Sequence, residues 1–468
     1  MIRLAVALAA LVAFVPASAG SQAVFPLAPC ALAGGVDALC GTFGVPEDRA
    51  AADGRSLALR VAVLPARDGG SRADPVVYVA GGPGGSAVAD AAWVAAVFRS
   101  LNESRDIVLV DQRGTGGSSP LVCPPPARGL RPVATAVRAY VRSCLERFDA
   151  DPRQYGTAAA MDDLADVVRA LGYSELNLYG GSYGGTAAQY FLAQHPELVR
   201  TVILDGATGL DVPLFELWGR NGDRAVRSIL ARCAGSPRCS RAYPRARAEL
   251  FEAIARLRRA PVRLQGTVVD AAAAAGAIQS LSRTPFGAAR IPWIAHEART
   301  GNWAPLAITI DQQGDEAGTT RRVMFWSIVC NEPWARWDPV RTAAASRGTY
   351  LAERTALDSR HAAMVCAAFP KTAQPEWASA AVRSDTPALV LVGGADPQDP
   401  LENVTGVARG LPNGRTVVVP AGGHGTIQLG CVRELARRFV DQASVAGLDV
   451  SCAGAYQPPP FAVPTPAR

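Results

Sequence analysis

Gly180-Gly181-Ser182-Tyr183-Gly184 places a serine inside a G-x-S-x-G pentapeptide, between an apolar run ending at Tyr179 and a helix-like run from Tyr183 to Gln194. So tight a strand-to-helix turn needs glycine beside the serine, because larger side chains would collide, and it thrusts the hydroxyl out at the carboxyl edge of a sheet. A serine hydroxyl attacks a carbonyl only when a base takes its proton. The chain has four histidines: His195, His296, His361 and His424. His195 ends the helix that follows Ser182, where it caps the C-terminus, and His296 and His361 fall in a long region of different character. His424, in Ala421-Gly422-Gly423-His424-Gly425, follows an apolar strand-like run, and its small neighbours let the imidazole enter a site.

The acid that orients such a histidine stands between the serine and the histidine in chains built on this elbow. Asp396, in Gly393-Gly394-Ala395-Asp396-Pro397-Gln398-Asp399-Pro400, follows the penultimate strand-like run and is the expected partner. Asp399 in the same loop is its rival, and Asp205, after the strand-like run ending at Leu204, is a further one. The tetrahedral intermediate also needs donors for its oxyanion. One is the backbone N–H of Tyr183, after the nucleophile. The other belongs to the loop Ala80-Gly81-Gly82-Pro83-Gly84-Gly85-Ser86, at Gly82 first and Gly81 second, where the lack of Cβ atoms lets the backbone approach a substrate. A phosphate-binding loop would require a lysine next to the glycines, and the only lysine is the distant Lys371.

At these residues the chain resembles a known family, the α/β-hydrolase serine peptidases of the prolyl iminopeptidase and tripeptidyl aminopeptidase type, particularly the secreted bacterial tripeptidyl aminopeptidase-like branch. The resemblance spans roughly residues 55–455 and rests on Gly81 to Ser86, Asp111-Gln112-Arg113-Gly114-Thr115-Gly116, Gly180 to Gly185, and the Asp396 and His424 loops. The Asp111 to Gly116 stretch is expected to brace the oxyanion loop. In Ile328-Val329-Cys330-Asn331-Glu332, and in Cys366 before Phe369-Pro370, the chain looks like that branch's cap. Ala80 stands where many relatives carry His, and Asp399 where many carry Thr. An aminopeptidase must hold a free α-ammonium, for which a cap carboxylate is the simplest device; Glu332 is the candidate.

The elements that position these residues follow from periodicity. Leu57 to Leu64 alternates like a half-buried strand. Val76 to Val79 and Ile107 to Val110 are short apolar runs followed by glycine-rich loops, as in parallel strands covered on both faces. Met161, Leu164, Val167, Val168 and Leu171 make 159–171 an amphipathic helix stopped by Gly172. Strands at Leu176 to Tyr179 and Val202 to Leu204 continue the rhythm. It fades from about 210 to 380, in favour of Arg-, Ala- and Trp-rich helical stretches, and returns with Ala388 to Val392, Thr416 to Val419 and a helix from about Thr426 to Val440.

The expected fold is therefore α/β: an α/β-hydrolase with a mostly parallel central sheet, helices on both faces and an inserted, mainly helical cap. The expected division is a signal peptide at 1–19, a first core part at 20–209, the cap at 210–380, a second core part at 381–456 and a Pro-rich, extended or disordered tail at 457–468.

Met1-Ile2-Arg3, the apolar run Leu4 to Val15 and Ala17-Ser18-Ala19 together have the form of a secretory signal cleaved after Ala19. That run is shorter than the roughly 18 to 20 residues a membrane span needs, so no stable membrane insertion is expected. Ten cysteines in an exported chain, with no paired C-x-x-C spacings, read as disulfides and not as a zinc site. Spacing leaves the connectivity open. Neighbours in order pair Cys30 with Cys40, Cys123 with Cys144, Cys233 with Cys239, Cys330 with Cys366, and Cys431 with Cys452. At 49% hydrophobic and 19% charged residues the composition excludes a disordered chain. The net charge of +6 is no sign of nucleic-acid binding, because the densest group, Arg256, Arg258, Arg259 and Arg263, ends a helix as a solvated face.

The expected function is an exported serine hydrolase, in the periplasm or the medium, acting on a peptide or small ester. It is most simply an aminopeptidase, and it needs no metal and no cofactor. A carboxylesterase or lipase-like enzyme would use the same triad. A non-catalytic exported binding protein on this scaffold is the alternative from another class. It predicts a broken triad, whereas Ser182, Asp396 and His424 are all present.

Overall fold

The computed structural model describes residues 25–464 apart from 52, 71–72, 125–132 and 317–318, so the signal-like segment lies outside the described residues. Nine strands form one sheet: β1 (Ala28–Leu32), β2 (Val36–Pro46), β3 (Ser56–Leu64), β4 (Val76–Val79), β5 (Ile107–Val110), β6 (Leu176–Gly181), β7 (Val199–Asp205), and, beyond a two-stranded hairpin of β8 (Val262–Leu264) and β9 (Thr267–Val269), β10 (Ala388–Gly393) and β11 (Gly414–Val419). The order is β1-β2-β3-β5-β4-β6-β7-β10-β11. The six strands from β5 to β11 in that order run parallel, and β1, β2 and β3 pair antiparallel at one end.

The side chains of each central strand alternate between two apolar layers. Val77, Val79, Val108, Leu178, Val202 and Val390 pack under the helices Thr157–Ala170 and Tyr183–Gln194. Val76, Tyr78, Leu109, Ile203, Leu391 and Val417 pack on the other face, under the helices Ala91–Val97 and Val432–Gln442. Two covered faces explain why these strands read as unbroken apolar runs.

Between β7 and β10 the sheet is interrupted by helices, the longest being Trp218–Gly235, Ala352–Cys366 and Ala246–Arg259; the first and last share an apolar cluster of their own, whereas Val365 and Cys366 of the middle one pack with Val137 and Val141. The arginines at the end of the last are tied locally: Arg258 pairs with Glu353, and Arg256 lies over the Trp303 ring. Residues 457–464 have no regular structure but lie against this layer, where the Ala462 N–H donates to the Ala289 carbonyl and Arg232 covers Phe461. Five disulfides join Cys30–Cys40, Cys123–Cys144, Cys233–Cys239, Cys330–Cys366 and Cys431–Cys452. Among the described residues no helix is long and apolar enough to cross a membrane.

Two local expectations need correction. The antiparallel β1 and β2 precede the first expected strand, and the helix after His424 begins at Val432, not Thr426. The cause of the second is Asp205, whose carboxylate takes the Thr426 and Ile427 N–H groups and holds that stretch in a turn.

Candidate active site

β4, β6, β7, β10 and β11 end at the same edge of the sheet, and every residue expected to do chemistry except Glu332 leaves from those ends. β6 passes into its helix through Ser182, which has φ +56° and ψ −130°. That left-handed backbone is rare for a residue with a side chain. The Ser182 N–H donates to the Asp205 carbonyl at 3.0 Å. A Cβ on Gly184 would collide with the Val79 carbonyl oxygen, so only glycine lets the helix after Ser182 sit this close to β4.

Ser182 Oγ lies 2.9 Å from His424 Nε2, and His424 Nδ1 lies 3.0 Å from Asp396 Oδ2. With Nδ1–H donating to the carboxylate, Nε2 is left to accept the serine proton. Asp396 is fully buried, and its other oxygen accepts the N–H groups of Gln398 and Asp399, so its own loop aims it. Asp399 Oδ2 stands 3.5 Å from Nδ1, beyond hydrogen-bond range of a well-made pair, and Asp399 instead accepts the Thr208 hydroxyl. Asp205 is not the partner of the histidine. It anchors the following turn through Thr426, Ile427 and the Tyr179 hydroxyl.

Electrostatics separate the two loop carboxylates. Burial pushes Asp396 up, but the facing imidazolium and the backbone donors outweigh it and hold its pKa below the usual aspartate range. Asp399, buried with weaker compensation and facing the Asp396 charge, is pushed up to about 6. Burial alone would lower His424; the Asp396 carboxylate, helped by Asp399, raises it above the ordinary histidine value.

The glycine loop runs against the elbow: a Cβ on Gly81 would stand 3.0 Å from the Gly181 oxygen and 3.5 Å from Ser182 Cβ. Gly82 has φ +129°, its bond to Pro83 is cis, and Gly82, Pro83, Ser182 and Tyr183 border one cavity. Asp111 braces the loop, accepting the Ser86 hydroxyl at 2.7 Å and the Val88 N–H at 3.0 Å, and its second oxygen accepts the Gly117 N–H at 2.8 Å. Arg113 is fully buried in a two-bond pair with Asp163.

The cavity holds about 110 Å³ and is walled by apolar residues of both the sheet edge and the helical layer, among them Leu214, Trp218 and Phe325. Glu332 lies on its wall. Both of its oxygens have partners at 2.8 Å, the Thr157 N–H and the Thr157 hydroxyl, at the N-terminus of the helix Thr157–Ala170. Burial nevertheless raises its pKa to about 7, against the donors from Thr157 and Tyr190. A second cavity of about 290 Å³, bordered by His361, shares Phe215, Trp218, Phe325 and Val329 with the first.

His195 and His296 take no part: His195 pairs with Asp162 at 2.9 Å and His296 with Glu249. Sequence reasoning missed Thr157, Thr208 and Arg283, whose carbonyl accepts the His424 N–H at 2.7 Å. No spacing signal marks them, because each meets the site only through the tertiary fold.

The fold and the strand-end site make the chain an α/β hydrolase, and residues 74–231 match the α/β-hydrolase fold family. Residues 354–452 match the TAP-like proteins, and within its class the chain resembles the tripeptidyl aminopeptidase family of serine peptidases. It is 28% identical over 223 residues to the serine protease Hip1 of Mycobacterium tuberculosis, covering 43% of this chain and 42% of that protein. It is 32% identical over 188 residues to the tripeptidyl aminopeptidase of Streptomyces lividans, covering 36% of this chain and 34% of that one. The matched region thus spans less than half the length of either relative. Among solved structures, the proline iminopeptidase of Mycobacterium smegmatis aligns with a TM-score of 0.39 at 14% identity, over 87% of this chain and 99% of that one.

Proposed function

We propose that the protein is an exported serine peptidase of the aminopeptidase type, releasing N-terminal residues or short peptides through Ser182, His424, Asp396 and an acyl-enzyme. The observation that carries this reading is the hydrogen-bonded line from Ser182 Oγ through His424 to Asp396, opening on a cavity that also contains a buried carboxylate.

Ser182 Oγ attacks the scissile carbonyl while His424 Nε2 takes its proton. Asp396 holds the tautomer and stabilises the imidazolium. The N–H groups of Tyr183 and Gly82 receive the oxyanion, a contribution of about 3 to 4 kcal/mol for each donor in comparable sites. The imidazolium then protonates the leaving amine, and water, deprotonated by the same nitrogen, releases the acyl group. Glu332 holds the substrate's α-ammonium in a buried position where charge pairing is strong.

Residues 210–380 act as the cap that closes the site, between core parts at 20–209 and 381–456. The five disulfides and the signal-like N-terminus support export to the periplasm or the medium.

The test is a panel of Pro-, Ala- and tripeptidyl-anilides, their N-blocked counterparts and short-chain p-nitrophenyl esters. Preferred cleavage of free-amine anilides is expected, with Glu332→Gln raising KM for these and leaving the KM of the blocked esters unchanged. Turnover of esters alone would replace the peptidase reading with an ester hydrolase.

A further inference from the structure

Glu332 and the nucleophile elbow are joined by a short chain of side chains. The Thr157 hydroxyl donates to Glu332 Oε2 at 2.8 Å and lies 2.7 Å from the Tyr183 hydroxyl. Tyr183 is the residue after Ser182 and the first of its helix. Its hydroxyl has a second, longer contact, 3.4 Å to Gln112 Oε1, within the Asp111 to Gly116 stretch. Tyr190, seven residues further along the same helix, borders the same cavity as Glu332.

We infer that Thr157 is a positioning residue that ties Glu332 to the elbow: its hydroxyl links the carboxylate to the Tyr183 phenol and thereby holds the residue whose backbone N–H faces the oxyanion. This rests on the acyl-transfer reading of the Ser182 site.

Proton counting gives the link a direction. A threonine hydroxyl has one hydrogen, and here it goes to the carboxylate. The Tyr183 hydroxyl must then donate to Thr157 Oγ1, which selects the 2.7 Å contact over the 3.4 Å one. If Oε2 carries a proton, the order can reverse: Glu332 donates to Thr157, Thr157 to Tyr183, and Tyr183 turns to Gln112. An ammonium held by Glu332 keeps the carboxylate ionised and so keeps the phenol on Thr157. Substrate recognition thus reaches the elbow through a fully buried threonine that touches neither the scissile bond nor the imidazole.

The test uses full-length oxidised protein and p-nitrophenyl acetate, an ester without an amine, so that ammonium binding does not enter. Thr157→Val should lower kcat about tenfold, the worth of one strong buried hydrogen bond, with KM unchanged. Tyr183→Phe, which keeps the backbone N–H, should do the same, and the double variant should lose no more than either single one. Thr157→Ser should restore kcat. Unmutated kcat in a folded Thr157→Val protein, multiplying losses in the double variant, or a Thr157→Ser protein as slow as Thr157→Val at equal melting temperature would each overturn the inference and leave acyl transfer standing. If the unmutated protein shows no Ser182-dependent turnover, the acyl-transfer reading fails and the inference fails with it.

Discussion

Replacing Glu332 by glutamine should make the protein more stable at neutral and alkaline pH. The carboxyl is buried, 8% exposed, and its pKa rises from 4.5 in the unfolded chain to about 7 in the fold. Between those values the native protein binds a proton that the unfolded chain has released, so stability falls as pH rises. Its contribution is fully present below about pH 4.5 and is lost as pH passes about 7, a total of about 3 kcal/mol at roughly 1.4 kcal/mol per unit. Glutamine has the same shape, still accepts the Thr157 N–H and cannot ionise. The two proteins should therefore match in stability near pH 4, and the variant should be favoured by about 3 kcal/mol near pH 8, or about 3 °C in melting temperature for a chain of this length. Asp399 and Asp205, also pushed up by burial, titrate in both proteins and cancel in the difference. Equilibrium urea unfolding across this pH range, with disulfides intact, reads the difference directly. A variant less stable near pH 8, or a difference that does not change with pH, would refute the reasoning.

Asp396→Asn should lower kcat about 10³- to 10⁴-fold in steady-state assays, because the imidazole loses its tautomer and its counter-charge. Asp399→Asn should keep most of kcat but move the acid limb of the kcat/KM profile to lower pH, since removing a carboxylate 3.5 Å from Nδ1 lowers the His424 pKa. Asp205→Ala leaves the N–H groups of Thr426 and Ile427 and the Tyr179 hydroxyl buried without their acceptor; calorimetry should show a loss of about 2 to 5 kcal/mol, accompanied by a fall in kcat. Gly184→Ala should abolish the yield of soluble protein by driving the elbow off β4, whereas Gly235→Ala, which meets open space, should change stability in urea unfolding by no more than about 1 kcal/mol.

Legibility followed burial. Val76–Val79 and Ile107–Val110 could be read to the residue because both faces are covered and the runs have sharp ends, Pro75 and the Ala80-Gly81 turn for the first and Asp106 and Asp111 for the second. β1 and β2 escaped notice because they are a half-exposed edge hairpin in which Gly41 and Gly44 weaken the strand pattern. Ser182 and His424 could be read because glycine neighbours are a steric requirement of the turns that carry them. The choice between Asp396 and Asp399 depends on side-chain direction, 3.0 against 3.5 Å from one nitrogen, which spacing does not encode. Thr157 was invisible for a different reason: its partner Glu332 lies 175 residues away, and only the packing of the helical layer on the sheet edge brings them together.

Every proposed chemical step begins with Ser182 as a nucleophile activated by His424. Mass spectrometry of the folded, oxidised protein after treatment with a fluorophosphonate tests it most directly. One adduct is expected, on the peptide containing Ser182, absent in Ser182→Ala and formed far more slowly in His424→Ala. An adduct that persists in Ser182→Ala, or no adduct on the native protein, would contradict it.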